Sequence, residues 1–61
     1  MRKYETYVKL DGGRWYFVGW YPMMNEEFCL ETKTRGKYIY KTYMWLNAKV
    51  EEYRYGSYVE E

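Results

Sequence analysis

The sequence predicts a mainly β protein: a single small antiparallel sheet or partly open barrel of four to five strands, with a short C-terminal helix as the alternative to the last strand. Three observations carry this. Apolar and polar residues alternate with a period of two over several segments, the spacing of a half-buried strand. Turn signals centred on glycine, Asp11-Gly12-Gly13 and Arg35-Gly36, punctuate those segments. The composition is dominated by strand formers, with ten Tyr, three Trp and two Phe among 61 residues.

The elements follow in order. Residues 3–10 alternate, with Tyr4, Thr6, Val8 and Leu10 on one face and Glu5, Tyr7 and Lys9 on the other. Gly12-Gly13 suits a two-residue hairpin turn, in which positive φ is needed. That turn pairs Leu10 with Trp15, Val8 with Phe17 and Tyr4 with Tyr21, whereas a three-residue loop would exchange the faces. Residues 14–22, Arg-Trp-Tyr-Phe-Val-Gly-Trp-Tyr-Pro, hold five aromatics in nine positions and are expected as the central strand. Gly19 marks a bulge or bend within it, and Pro22 ends it because proline cannot donate to a ladder.

Residues 23–27 read as a loop. Strands are expected at 28–34 and 37–46, joined through Arg35-Gly36, with Thr32 opposite Ile39 and Phe28 opposite Tyr43. Ile39, Tyr43 and Trp45 then face inward, and Tyr38, Tyr40, Thr42 and Met44 outward. Beyond Leu46 two readings stand: a fifth strand over 49–55, which Tyr53 and Tyr55 favour, or a short helix capped by Asn47. Gly56-Ser57 reads as a breaker and Glu60-Glu61 as a frayed end.

Length bounds stability. Sixty-one residues form one domain, 1–61, and so short a chain buries only about 60% of the surface its unfolded form exposes. The single cysteine, Cys29, has no internal disulfide partner, and the chain lacks histidine to complete a zinc site. Aromatic area must serve instead, each ring burying about 150–250 Å². Fifteen rings exceed what a core of this size encloses, so some are expected on the surface or in a subunit interface.

The same inventory narrows the function. Nucleophilic catalysis needs a base beside the nucleophile, and the sequence offers one serine, one aspartate and no histidine. The Glu51-Glu52 pair, on a strand, points to opposite faces and cannot act as a dyad. No Gly-rich phosphate loop is present. An enzyme is not expected, nor any cofactor or metal. Arg2, Lys3, Glu5 and Lys9 interrupt the N-terminus, so no signal peptide is read there, and residues 15–25, the longest uncharged run, are about half a bilayer span. One unpaired thiol fits a reducing cytoplasm.

Net charge is +1, but Lys33, Arg35, Lys37, Lys41 and Lys49 follow one another without an intervening acid. Between Lys33 and Tyr43 these cations interleave with Tyr38 and Tyr40, the pattern with which β surfaces hold single-stranded nucleic acid. Tyr16 and Trp20, expected on the same outer face, would extend it. The candidate partner-binding residues are therefore Tyr16, Trp20, Arg35, Lys37, Tyr38, Tyr40 and Lys41. Tyrosine and tryptophan also dominate protein interfaces. Near-neutral charge gives little counterion release, which favours a protein partner or a homodimer over nucleic acid. The expectation is a small regulator or inhibitor, as many viral and mobile-element products are.

Overall fold

The computed structural model describes residues 1–61, and of Gly12 the backbone alone. Five strands form one antiparallel sheet: β1 (Arg2–Lys9), β2 (Trp15–Tyr21), β3 (Cys29–Arg35), β4 (Tyr38–Met44) and β5 (Val50–Glu60). Their order across the sheet is β2-β1-β5-β4-β3, and the sheet is open. Among the described residues no helix is long and apolar enough to cross a membrane.

The centre belongs to β5, whose eleven residues pair with β1 on one side and β4 on the other. The aromatic stretch expected there forms β2 and lies at an edge. Aromatic content reports side-chain contact, whereas ladder position depends on which strands take a second partner. The C-terminal helix does not form. Nor does β5 stop at Gly56-Ser57: these two residues lie opposite Glu5 as a bulge, and the ladder resumes with Tyr4 opposite Tyr58. The Glu5 carboxylate accepts the Ser57 N–H at 2.9 Å, and a Cβ on Gly56 would sit 2.5 Å from that carboxylate. The terminus is also held, by Arg2–Glu60 and Lys3–Glu61 ion pairs, each at 2.8 Å.

The first hairpin departs from expectation by one residue. Leu10 and Arg14 close a three-residue loop, with Leu10 N–H donating to Arg14 O at 2.9 Å and Gly13 N–H to Leu10 O at 3.0 Å. Gly13 takes φ +76° there, as the last residue of such a loop requires. Lys9, Val8 and Tyr7 consequently face Trp15, Tyr16 and Phe17. Val18 is then bulged out before Gly19, whose φ is +143°, and the register returns to Thr6–Gly19 and Tyr4–Tyr21. The second hairpin turns at Gly36-Lys37, so Thr34 rather than Thr32 faces Ile39, and Cys29 rather than Phe28 faces Tyr43. The slip near the turn is even, so Ile39 and Tyr43 keep the inward face expected of them.

Because β2 and β3 lie at opposite edges, residues 22–28 must cross one whole face of the sheet. This strap defines a covered face and an open one. Beneath it lie Tyr43 and Tyr55, both fully buried, with Thr6 and Lys41. Met24 fastens the strap: its N–H donates to the Tyr55 hydroxyl at 3.4 Å, and its carbonyl accepts from the Tyr43 hydroxyl at 3.5 Å. Further along, the Glu26 carboxylate accepts from the buried Lys41 ammonium. Trp45 stacks on Tyr43 with ring centres 5.2 Å apart and planes at 6°, and Phe28 meets Trp45 edge-on at 5.8 Å. Each such pair contributes about 0.5–1.5 kcal/mol beyond the area it buries.

Candidate partner-binding face

The open face is organised by Arg54, near the middle of the central strand. Tyr53 and Tyr55 on either side of it point to the covered face, so alternation sends Arg54 to the other. Its guanidinium carbon lies 4.4 Å from the ring centre of Tyr7, 4.5 Å from that of Tyr38 and 5.0 Å from that of Trp15. A flat, weakly hydrated cation tolerates this enclosure, and each ring face attracts it by about 0.5–2 kcal/mol. The rings brace one another edge-on: Tyr7 against Phe17 at 5.4 Å, Tyr7 against Tyr38 at 6.2 Å and Trp15 against Tyr40 at 5.6 Å.

The electrostatics of this face single out its arginines. Lys3 pairs with Glu61 at 2.8 Å, Lys9 with Glu52 at 3.2 Å and Lys33 with Glu31 at 3.8 Å. Among the described residues no carboxylate pairs with Arg54 or Arg35. The Arg54 Nε is moreover buried without a hydrogen-bond partner. Beside the ring cluster lies a cavity of about 300 Å³ between Lys9, Trp15, Lys33, Arg35, Tyr40 and Glu52. The same face exposes Phe17, Trp20, Met44, Val50 and Val59.

Of the residues singled out from sequence, Trp20, Arg35, Tyr38 and Tyr40 share the open face. Lys37 lies in the adjoining turn, its ammonium 5.5 Å from the Tyr38 ring centre. Two part from them. Tyr16 lies on the covered side beside Val8, because the first loop is one residue longer than expected. Lys41 is 4% exposed beneath the strap, paired with Glu26, and leaves the basic run. Sequence reasoning missed Tyr7, Trp15, Phe17 and Arg54. The Tyr-Arg-Tyr triplet at 53–55 could have revealed Arg54, since a cation between two buried tyrosines must face the other way.

Titration behaviour belongs to the covered face. Burial, then the neighbouring Tyr55, pushes the Tyr43 hydroxyl well above the ordinary tyrosine range. Burial, then the Glu51 carboxylate, raises that of Tyr53. The hydrogen bond from Lys41 holds Glu26 below the ordinary carboxylate value. A second cavity, about 450 Å³, lies beside the strap between Val18, Tyr21, Met23, Met24 and Tyr53. Its walls are almost wholly apolar, with little to orient a ligand. Charge, aromatic area and a cavity coincide on the open face. No family model matches the chain, and no curated protein or solved structure shows significant similarity to it.

Proposed function

We propose that this chain is a non-enzymatic binding module, a small cytoplasmic regulator or inhibitor, that engages a protein partner or a second copy of itself through the open face. One observation carries the reading. The strap crosses one face, whereas the Arg54 ring cluster on the other has no segment over it, and Phe17, Trp20, Met44, Val50 and Val59 are exposed elsewhere on that face. Aromatic residues, methionine and arginine are the types enriched at the centres of protein interfaces.

Single-stranded nucleic acid is the second reading, favoured by Arg35 and Lys33 beside Tyr38 and Tyr40. Three features weigh against it. Lys41 belongs to the other face, Glu5, Glu31 and Glu52 interrupt the cations, and Arg54 occupies ring faces of Tyr7, Trp15 and Tyr38 that base stacking would use.

Affinity capture from a lysate of the native host, with and without nuclease, tests the assignment. A protein held equally in both conditions by the wild type, and lost with Phe17→Glu, is the expected result. With a second copy as partner, light scattering should show a dimer that Phe17→Glu dissociates. A partner that disappears on nuclease treatment would assign the face to nucleic acid.

A further inference from the structure

We infer that the segment received by the open face is acidic: a peptide stretch of the partner whose Asp or Glu carboxylate enters the cavity lined by Trp15, Tyr40 and Arg35, where Arg35 holds it and Arg54, behind the Trp15 ring, adds its positive charge. The inference rests on the reading of this face as a protein interface and names the chemistry of what docks there. Five cations face this side, Lys3, Lys9, Lys33, Arg35 and Arg54, against the carboxylates of Glu5, Glu31 and Glu52. The chain neutralises three of the five internally. The two arginines are left, and a guanidinium fork is the group that grips a carboxylate with two parallel hydrogen bonds.

Arg54 is prepared for such a ligand. Tyr7, Tyr38 and Trp15 enclose the guanidinium, fixing its orientation before anything binds. The ring faces hold the guanidinium without a counter-ion and leave its Nε buried without a hydrogen-bond partner, so an incoming carboxylate meets a donor already oriented and partly desolvated. Trp15 connects the two parts: its ring touches Arg54 on one side and walls the cavity bordered by Arg35 and Tyr40 on the other.

The pattern fits separate carboxylates better than a phosphate chain. Glu31 and Glu52 line the same cavity as Lys9, Lys33 and Arg35, so the positive potential is local and a continuous polyanion would meet like charge. The exposed apolar residues nearest it along the strands, Phe17 two residues from Trp15 and Met44 two from Thr42, match apolar side chains flanking an acidic one.

Titration of the full chain, followed by tryptophan fluorescence at low salt, tests this with three probes: an oligoglutamate carrying interspersed phenylalanines, the corresponding oligoglutamine, and an oligothymidylate of equal charge. The acidic peptide should give a saturable change that weakens about tenfold or more in Arg35→Gln, the loss expected for a hydrogen bond to a charged group. Oligoglutamine should give none, and oligothymidylate should bind more weakly. Arg35 is exposed at a strand end, and an unchanged circular dichroism spectrum would verify that its variant is folded. Three results would overturn the inference: a flat titration with the acidic peptide, binding indifferent to Arg35→Gln, or tighter binding of oligothymidylate. A flat titration alongside a captured protein that Phe17→Glu releases would reject the acidic segment and leave the interface reading standing.

Discussion

Tyr16 and Phe17 are adjacent in sequence and stand on opposite sides of the sheet, Tyr16 beside Val8 on the strapped side and Phe17 beside Tyr7 on the bare one. A single extra loop residue at 11–13 sets this arrangement, and the bulge at Val18 cancels its effect further along the strand. The aromatic supply of β2 is thereby divided. Trp15, Phe17 and Trp20 go to the open face, while Tyr16 and Tyr21 go to the other.

The two three-residue hairpin loops end differently. Gly13 closes the first at φ +76° and Ala48 closes the second at φ +64°, with the same pattern of backbone hydrogen bonds. An alanine in the left-handed region loses about 1–2 kcal/mol relative to the right-handed one, partly offset by the greater freedom of glycine in the unfolded chain. Ala48→Gly should therefore stabilise by about 0.5 kcal/mol, raising the melting temperature by about 2–4 °C. Gly13→Ala should destabilise by about 1 kcal/mol. Thermal melts of both variants check this, and a lower melting temperature for Ala48→Gly would contradict it.

Gly56 carries no positive φ, yet a side chain there would have to push the Glu5 carboxylate aside. A methyl group there would approach Glu5 Oε1 to 2.5 Å and Tyr38 to 3.1 Å. Gly56→Ala should displace the Glu5 carboxylate from the Ser57 N–H and destabilise by about 1–3 kcal/mol. The double variant with Glu5→Ala should show non-additive losses, because both changes disrupt one contact. Additive losses in urea titrations would show the two residues to be independent.

Lys41 is buried and Glu26, on the strap, is exposed; the hydrogen bond between them couples the strap to β4. Because this bond holds the Glu26 carboxyl below its ordinary value, its contribution is complete above that value and fades as pH falls through the lowered one. Acid titration of stability should thus be shallower in Glu26→Gln than in the wild type, over the range below about pH 4.5. At neutral pH Glu26→Gln should be less stable, and the double variant with Lys41→Met should recover part of the loss. Parallel acid profiles for wild type and Glu26→Gln would show the contact to be unimportant.

Tyr43, like Tyr55, is fully buried, and Tyr43→Ala should destabilise by about 3–5 kcal/mol, while Tyr43→Phe, which loses one long hydrogen bond, should lose about 1 kcal/mol or less. Burial raises the folded-state values of Tyr43 and Tyr53, so their contribution is complete below the ordinary tyrosine value and is lost as pH rises through the raised ones. Ultraviolet titration of the folded protein should leave these two hydroxyls unionised after the exposed tyrosines have ionised. Simultaneous ionisation of every tyrosine in the folded state would contradict their burial.

Much of the sheet was legible because period-two alternation is a local property. Four strands, the irregularity at Gly19 and the outward Tyr38 and Tyr40 follow from residues close to one another, whereas the expected Tyr4–Tyr21 pair forms only because the longer loop and the Val18 bulge offset each other. What remained hidden depends on distant partners. The place of β5 at the centre, the strap and the burial of Lys41 require knowing that 22–28 crosses the sheet, which no local pattern records. For the site, Tyr16 was lost to a one-residue difference in a loop that either turn type could close. Arg54 was overlooked because a cation among glutamates reads as solvated surface until its strand is given three neighbouring rings.

The open face is tested most directly by its two adjacent residues. A photo-crosslinking benzoylphenylalanine placed at Phe17, and separately at Tyr16, samples both sides of one strand in the full chain. After irradiation in nuclease-treated host lysate, Phe17 should yield a discrete protein adduct, or a covalent dimer, and Tyr16 none. Equal adducts at both positions, adducts at Tyr16 alone, or a Phe17 adduct consisting of nucleic acid would contradict a protein interface on the open face.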